Sequence, residues 1–182
     1  MGLYMILNTK KRDIRSRLLP LSLSAGIILL DQIAKILIVN TVGKTGPVRV
    51  IGDFFRLIYV QNPAIAFSIG RGIQAGPRRA LFTLLPLVVI AILLLYYLLT
   101  RDPLTRFQKW CFGALVGGGL GNYVDRIFRP AGVVDFLDFR FYGIFGMERW
   151  PTFNVADMTV VIAGILLFIS FLIPVRPTGD TK

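Results

Sequence analysis

Four long apolar runs govern what this chain can fold into. They are "LLPLSLSAGIILLDQIAKILIV" at Leu18–Val39, "ALFTLLPLVVIAILLLYYLLT" at Ala80–Thr100, "FQKWCFGALVGGGLGNYVDRIF" at Phe107–Phe128 and "VADMTVVIAGILLFISFLI" at Val155–Ile173. A bilayer is crossed by about 20 apolar residues in helical form, and each run meets or closely approaches that length. Hydrophobic residues make up 54% of the 182 residues and charged ones only 17%. The charges cluster, which leaves the runs nearly free of them. The expectation is an all-α membrane protein: four transmembrane helices in a single integral membrane domain over 1–182.

The net charge of +11 does not point to nucleic acid, because most Lys and Arg flank the runs, where they meet headgroups and set orientation. Lys10, Lys11, Arg12, Arg15 and Arg17 precede the first run. Arg101, Arg106 and Lys109 join the second to the third, and Arg176 and Lys182 follow the fourth. These flanks share the cytoplasmic side, so both termini are expected inside and segments of about 40–79 and 129–154 outside. The first run continues past Asp31 and Lys35 with no small-x-small cleavage site, so it is read as a retained span. In the outer segments, "VRVIGDFFRLIYV" at Val48–Val60 reads as a small β-hairpin or sheet. "FRFYGIFGMERW" at Phe139–Trp150 reads as an aromatic, interfacial amphipathic segment.

The chain has no histidine and one cysteine, which removes Ser-His and Cys-His catalysis and any internal disulfide. Cys111 reads as a small packing residue. With Glu148 the only glutamate, acid–base chemistry must rest on the aspartates. Three polar sets fall within or beside the runs. Asp31 and Lys35 come late in the first, Asn122, Asp125 and Arg126 end the third, and Asn154 and Asp157 open the fourth. Because the runs alternate in direction, all three sets land in the outer half of the bilayer. Buried ionisable groups there normally face a bundle interior or a wet cavity.

Each set also has a purely structural explanation. Asp31 and Lys35, at i and i+4, neutralise each other. Asn122, Asp125 and Arg126 share one helical face and form a packing and termination network. Asn154 is an N-cap with Asp157 at N3, favoured by the helix dipole. Asp138 follows Asp135 closely, and one of the two is read as merely interfacial. The glycines Gly113, Gly117 and Gly121 are read as a close-packing stripe, since no strand and no Gly-Lys-Ser/Thr accompany them. Taken together, carboxylates brought close cannot both ionise cheaply. One then takes a proton from water and the other gives one to a leaving amine, which needs no metal or cofactor.

"GNYVDR" at Gly121–Arg126, "VVDF" at Val133–Phe136 and "PTFNVAD" at Pro151–Asp157, in that order and spacing, resemble the lipoprotein signal peptidase family (signal peptidase II). "DQIAK" at Asp31–Lys35 resembles the family's first-span motif. The resemblance implies an intramembrane aspartic endopeptidase of the bacterial inner membrane. It implies cleavage of diacylglyceryl-modified prolipoproteins just before the lipidated cysteine. By motif, Asp135 and Asp157 would be the catalytic pair. Asn62, Asn122, Asp125, Arg126 and Asn154 match supporting or binding positions, and Asp31 and Lys35 a structural pair. Globomycin-type inhibitors would bind across the dyad, and membrane lipid is the other expected partner. One motif departs: "NPAIAF" at Asn62–Phe67 has Ala64 and Ile65 where the family commonly has Gly and Ala.

Rival readings are a small transporter or proton-conducting subunit, a purely structural membrane subunit, and a metal-dependent lipid transferase. Against the first, the carboxylates gather at one face and the second run carries no charge. Against the last, Asp135 and Asp157 lie on different segments, with no Asp-x-x-Asp array.

Overall fold

The computed structural model describes residues 14–63, 75–100 and 103–173. Ala64, Ile65 and Phe67, and the basic residues Lys10, Lys11, Arg12, Arg101, Arg176 and Lys182, lie outside them. Along the chain come α1 (Ile14–Asn40), the short α2 (Val42–Thr45), β1 (Val48–Ile51), β2 (Phe55–Asn62), α3 (Ala75–Leu99), α4 (Arg106–Phe128), β3 (Val133–Phe139) and α5 (Val155–Leu172). All four apolar runs are helical. α1 and α5 are long and apolar enough to cross a membrane, and α3 contributes the shorter apolar stretch Thr83–Leu99.

Central to the bundle is α4, which packs on α1, α5 and α3. Its glycines permit this. A Cβ on Gly113 would overlap the Pro20 carbonyl, and one on Gly117 would stand 2.8 Å from the Ser24 Cα. On the adjoining face, a Cβ on Gly118 would come 2.7 Å from the Ala156 carbonyl oxygen of α5. Backbones approach this closely only where side chains are absent. Gly117→Ala gains about 1 kcal/mol of helix propensity. It must also push apart two backbones that cannot yield locally, an overpacking cost of about 1–3 kcal/mol. The expected net result is a lower unfolding temperature in detergent.

Two buried clusters close the bundle at its ends. Tyr97, Cys111, Phe112 and Leu167 pack at one, and Arg17 donates to the Tyr97 and Thr100 carbonyls beside it. At the other, Ile38, Val42, Val134 and Phe136 join α1 and α2 to β3. Most of the large apolar side chains elsewhere on α1, α3 and α5 face outward, among them Leu29, Ile33, Ile92, Ile165, Phe168 and Leu172. An uncovered apolar surface of that extent suits lipid, not water.

The expected hairpin is present, with β1 antiparallel to β2. A third strand was not expected: β3 pairs antiparallel with β2, giving the order β1-β2-β3. The 139–150 segment contains one short 3-10 turn, Ile144–Gly146, with Phe145 84% exposed at its tip. Its base is tied down by ion pairs. Arg149 reaches both Asp53 (2.6 Å) and Asp138 (2.8 Å), and Arg56 also reaches Asp138 (2.7 Å). Both Asp135 and Asp138 are buried in the protein. Asp138 tolerates burial because two guanidinium groups neutralise it.

Candidate active site

β3 sets the geometry. Val133 lies opposite Asn62 and Asp135 opposite Val60, so Asn62 and Asp135 are diagonal neighbours on one face of the sheet. The Asn62 Nδ2 donates to Asp135 Oδ2 at 3.0 Å. On the other edge of β3, Leu137 N donates to the Phe153 carbonyl (2.8 Å) and Phe153 N to the Leu137 carbonyl (3.2 Å). The chain therefore enters α5 alongside β3, which brings Asn154 against Asp135.

Asn154 does two things at once. As N-cap, its side chain accepts from Asp157 N (2.9 Å), while Asp157 Oδ2 accepts from Asn154 N (3.2 Å). With the side-chain oxygen committed to the helix, its Nδ2 points away and donates to Asp135 Oδ1 (2.7 Å) and to Asn122 Oδ1 (3.0 Å). The structural reading of Asn154 thus holds, and the same cap ties together two carboxylates remote in sequence.

Asn122 is oriented by the same logic. A lysine ammonium only donates, so the atom that Lys35 Nζ approaches at 3.0 Å is Oδ1. The Asn122 Nδ2 is left to donate to Asp157 Oδ1, at 2.6 Å. Lys35 is wholly buried and also pairs with Asp31 (2.7 Å) and Asp125 (2.9 Å). Asp31 in turn accepts from Ala156 N (2.9 Å), so the first turn of α5 holds two carboxylates where its dipole favours negative charge. Asp125 accepts from Gln32 Nε2 (3.0 Å) and Val134 N (3.1 Å), and Arg129 lies 3.4 Å from it. The Arg126 Nη1 donates to the Asn122 carbonyl (3.1 Å), and its charge acts on Asp157, Asp125 and Asp135.

All nine residues singled out from the sequence therefore meet in one connected network at the sheet end of the bundle. Gln32 and Arg129 were not singled out. Gln32 lies beside Asp31 in the same motif, and Arg129 is four residues after Asp125, a spacing that places two helical side chains in contact. Burial, then the neighbouring Asp157 charge, pushes the Asp135 carboxyl up to about 6. The Asn62 and Asn154 amides oppose that rise by bonding the charged form. The arrangement is a pair of buried carboxylates, each bonded by amide donors, reached from one end of an apolar bundle.

A helical bacterial membrane enzyme is the class this architecture belongs to. Two solved bacterial membrane enzymes, determined by the in meso method, share it. One superposes with TM-score 0.69 at 25% identity over 93% of this chain and 95% of its own. Another does so at 0.70 and 26%, over 90% and 96%. The sequence model of the signal peptidase (SPase) II family matches residues 23–173. The lipoprotein signal peptidase of Treponema pallidum is 41% identical over 87% of this chain and 85% of its own length. That of Treponema denticola is 44% identical over 85% and 89%, and that of Borreliella afzelii 45% over 80% and 84%. The chain belongs to the signal peptidase II family and is a protease.

Proposed function

We propose that this chain removes the signal peptide from diacylglyceryl-modified prolipoproteins, cutting just before the lipidated cysteine. Asp135 and Asp157 are its catalytic pair. Four spans, α1, α3, α4 and α5, cross the inner membrane as one integral domain with both termini cytoplasmic, and the sheet lies on the outer side. The single observation that carries the reading is Asn154, whose side chain bonds Asp135 while its backbone N–H bonds Asp157. One residue thereby holds a strand carboxylate and a helix carboxylate together.

The chemistry follows from unequal protonation. The ionised carboxylate takes a proton from a water molecule, whose oxygen attacks the scissile carbonyl carbon. The protonated partner gives its proton to the departing amine as the C–N bond breaks. Asn62, Asn122 and Asn154 hold the carboxyl groups in place, and Arg126 and Asp125 support Asn122 and β3. Asp31 and Lys35 anchor the start of α5. A substrate held in the membrane by its acyl chains presents its scissile bond at a fixed depth, so positioning is supplied by the lipid. Globomycin-type inhibitors would span the same carboxylates.

The test compares two forms of one prolipoprotein, with and without the diacylglyceryl group, digested by the purified full-length enzyme. Only the lipidated form is expected to be cut, giving a product whose mass begins at the modified cysteine. Equal cutting of both forms, or a product beginning elsewhere, overturns the substrate assignment.

A further inference from the structure

A groove of about 240 Å³ adjoins the carboxylate network and shares Arg129 with it. Its apolar lining is Ile36 and Val39 of α1, backed by the buried Val134 of β3. Successive strand residues point to opposite faces, so Val134 faces away from Asp135 and the groove lies on the face of β3 opposite that carboxylate. Tyr59, Gln61 and Arg129 line its rim. Among the described residues, no acidic one lines it.

Its chemistry is that of a site for an anion with an apolar tail. The Arg129 Nε lies against Asp125 at 3.4 Å. Among the described residues, the two outer guanidinium nitrogens of Arg129, the Tyr59 hydroxyl and the Gln61 amide donate to no hydrogen-bond partner. A forked guanidinium matches the paired oxygens of a phosphate. The apolar floor does not end at the groove. Ile36 is 52% exposed, and it continues along α1 into exposed Ile33, Leu30 and Leu29. That stripe runs from the end of the helix, at Asn40, back along its apolar length. A free phosphate would leave the stripe uncovered, and a neutral glyceride would offer no charge to the two outer guanidinium nitrogens of Arg129.

We infer that this groove binds one phospholipid molecule of the surrounding membrane, its phosphate on Arg129 and Tyr59 and one acyl chain along Ile36, Ile33 and Leu29. The lipid would rest on Ile36 and Arg129. Arg129 is ion-paired with Asp125, which also accepts from the Val134 N–H of β3. Bound lipid thereby stiffens the strand that carries Asp135, from the side opposite the substrate.

Native mass spectrometry of the full-length protein in detergent tests this. The protein is offered in turn phosphatidylglycerol, diacylglycerol with the same chains, and inorganic phosphate. Wild type is expected to retain one phosphatidylglycerol at least tenfold more than diacylglycerol, with no competition from millimolar inorganic phosphate. Arg129→Gln should lower retention about tenfold, and Tyr59→Phe, which removes only a hydroxyl, about threefold. Arg49→Gln, on the exposed edge strand β1, serves as the charge control and should stay within twofold of wild type. Three results overturn the proposal: equal retention of diacylglycerol, displacement by inorganic phosphate, or an Arg49→Gln loss as large as that of Arg129→Gln. Unfolding temperatures are measured alongside. If Arg129→Gln unfolds early, Tyr59→Phe decides the matter, and unchanged retention by it counts against the site.

Discussion

Asp135→Asn is expected to stop prolipoprotein cleavage and, at pH 8, to make the protein harder to unfold. The two effects have one origin. Burial and the Asp157 charge raise the Asp135 carboxyl from 3.8 to about 6. The folded state therefore binds this proton more tightly than the unfolded chain. Such a group adds stability below about pH 4, and that stability is lost as pH rises toward and through about 6. Above that, the ionised side chain costs the fold about 3 kcal/mol, at roughly 1.4 kcal/mol for each unit of displacement. Asparagine is neutral at every pH and removes the cost. It also loses something: Asp135 accepts from both Asn62 and Asn154, and an amide offers one oxygen where the carboxylate offered two. That mismatch is worth about 1 kcal/mol. The net gain at pH 8 is about 1–2 kcal/mol, a few degrees in unfolding temperature. At pH 4 it should vanish or reverse. Under the proposed mechanism activity should be undetectable throughout, because the amide can neither take up nor release the proton that the proposed pair shares. Residual cleavage near the wild-type rate would remove Asp135 from the chemistry. A variant less stable than wild type at pH 8 would mean that the two amide bonds outweigh the burial of charge.

Much of this was legible before any coordinates. The helices fall within a few residues of the apolar runs, because an uninterrupted apolar run of that length is more readily a helix than a strand. The meeting of the polar sets was legible too: the expectation that the runs alternate in direction puts Lys35, Asn122 and Asp157 at one level, and the three side chains are in contact. The strand β3 was not. "VVDFLDF" is buried on both faces and carries an aspartate on each, so it lacks the polar-out alternation that marks a half-exposed strand. Asp135 and Asp138 are three residues apart, which in a strand sends them to opposite faces. One meets Asn62 and Asn154, the other Arg56 and Arg149. Nor could sequence say that Lys35 touches Asn122 and Asp125 as well as Asp31. That depends on how far α1 slides along α4, and the slide is fixed by the backbone contacts at Gly113 and Gly117.

Asp125→Ala is expected to be the most damaging single substitution to stability. The Asp125 side chain is fully buried and satisfies Lys35, Gln32 and the Val134 N–H, with Arg129 close by. Its removal leaves the buried ammonium one carboxylate short and orphans a backbone donor in β3. Breaking a buried ion pair from one side costs on the order of 3–5 kcal/mol. Asp125→Asn keeps an oxygen for the Val134 N–H and should cost clearly less. Lys35→Met alone errs in the other direction, since Asp31 and Asp125 then face each other with no cation between them. Adding Asp125→Asn to it removes one charge of each sign, so the double variant should lose less stability than the two single losses added together, by about 1–3 kcal/mol. Unfolding of the four proteins in one detergent measures that coupling directly. Simple additivity would mean that Lys35 and Asp125 are adjacent but not energetically joined. The coupling matters beyond stability, because the same cluster fixes Asn122 through Lys35 and the first turn of α5 through Asp31. Those two contacts locate Asp157 relative to Asp135. An Asp125 variant that still folds is therefore expected to lose turnover in step with the cluster, even though Asp125 touches neither carboxylate of the proposed pair.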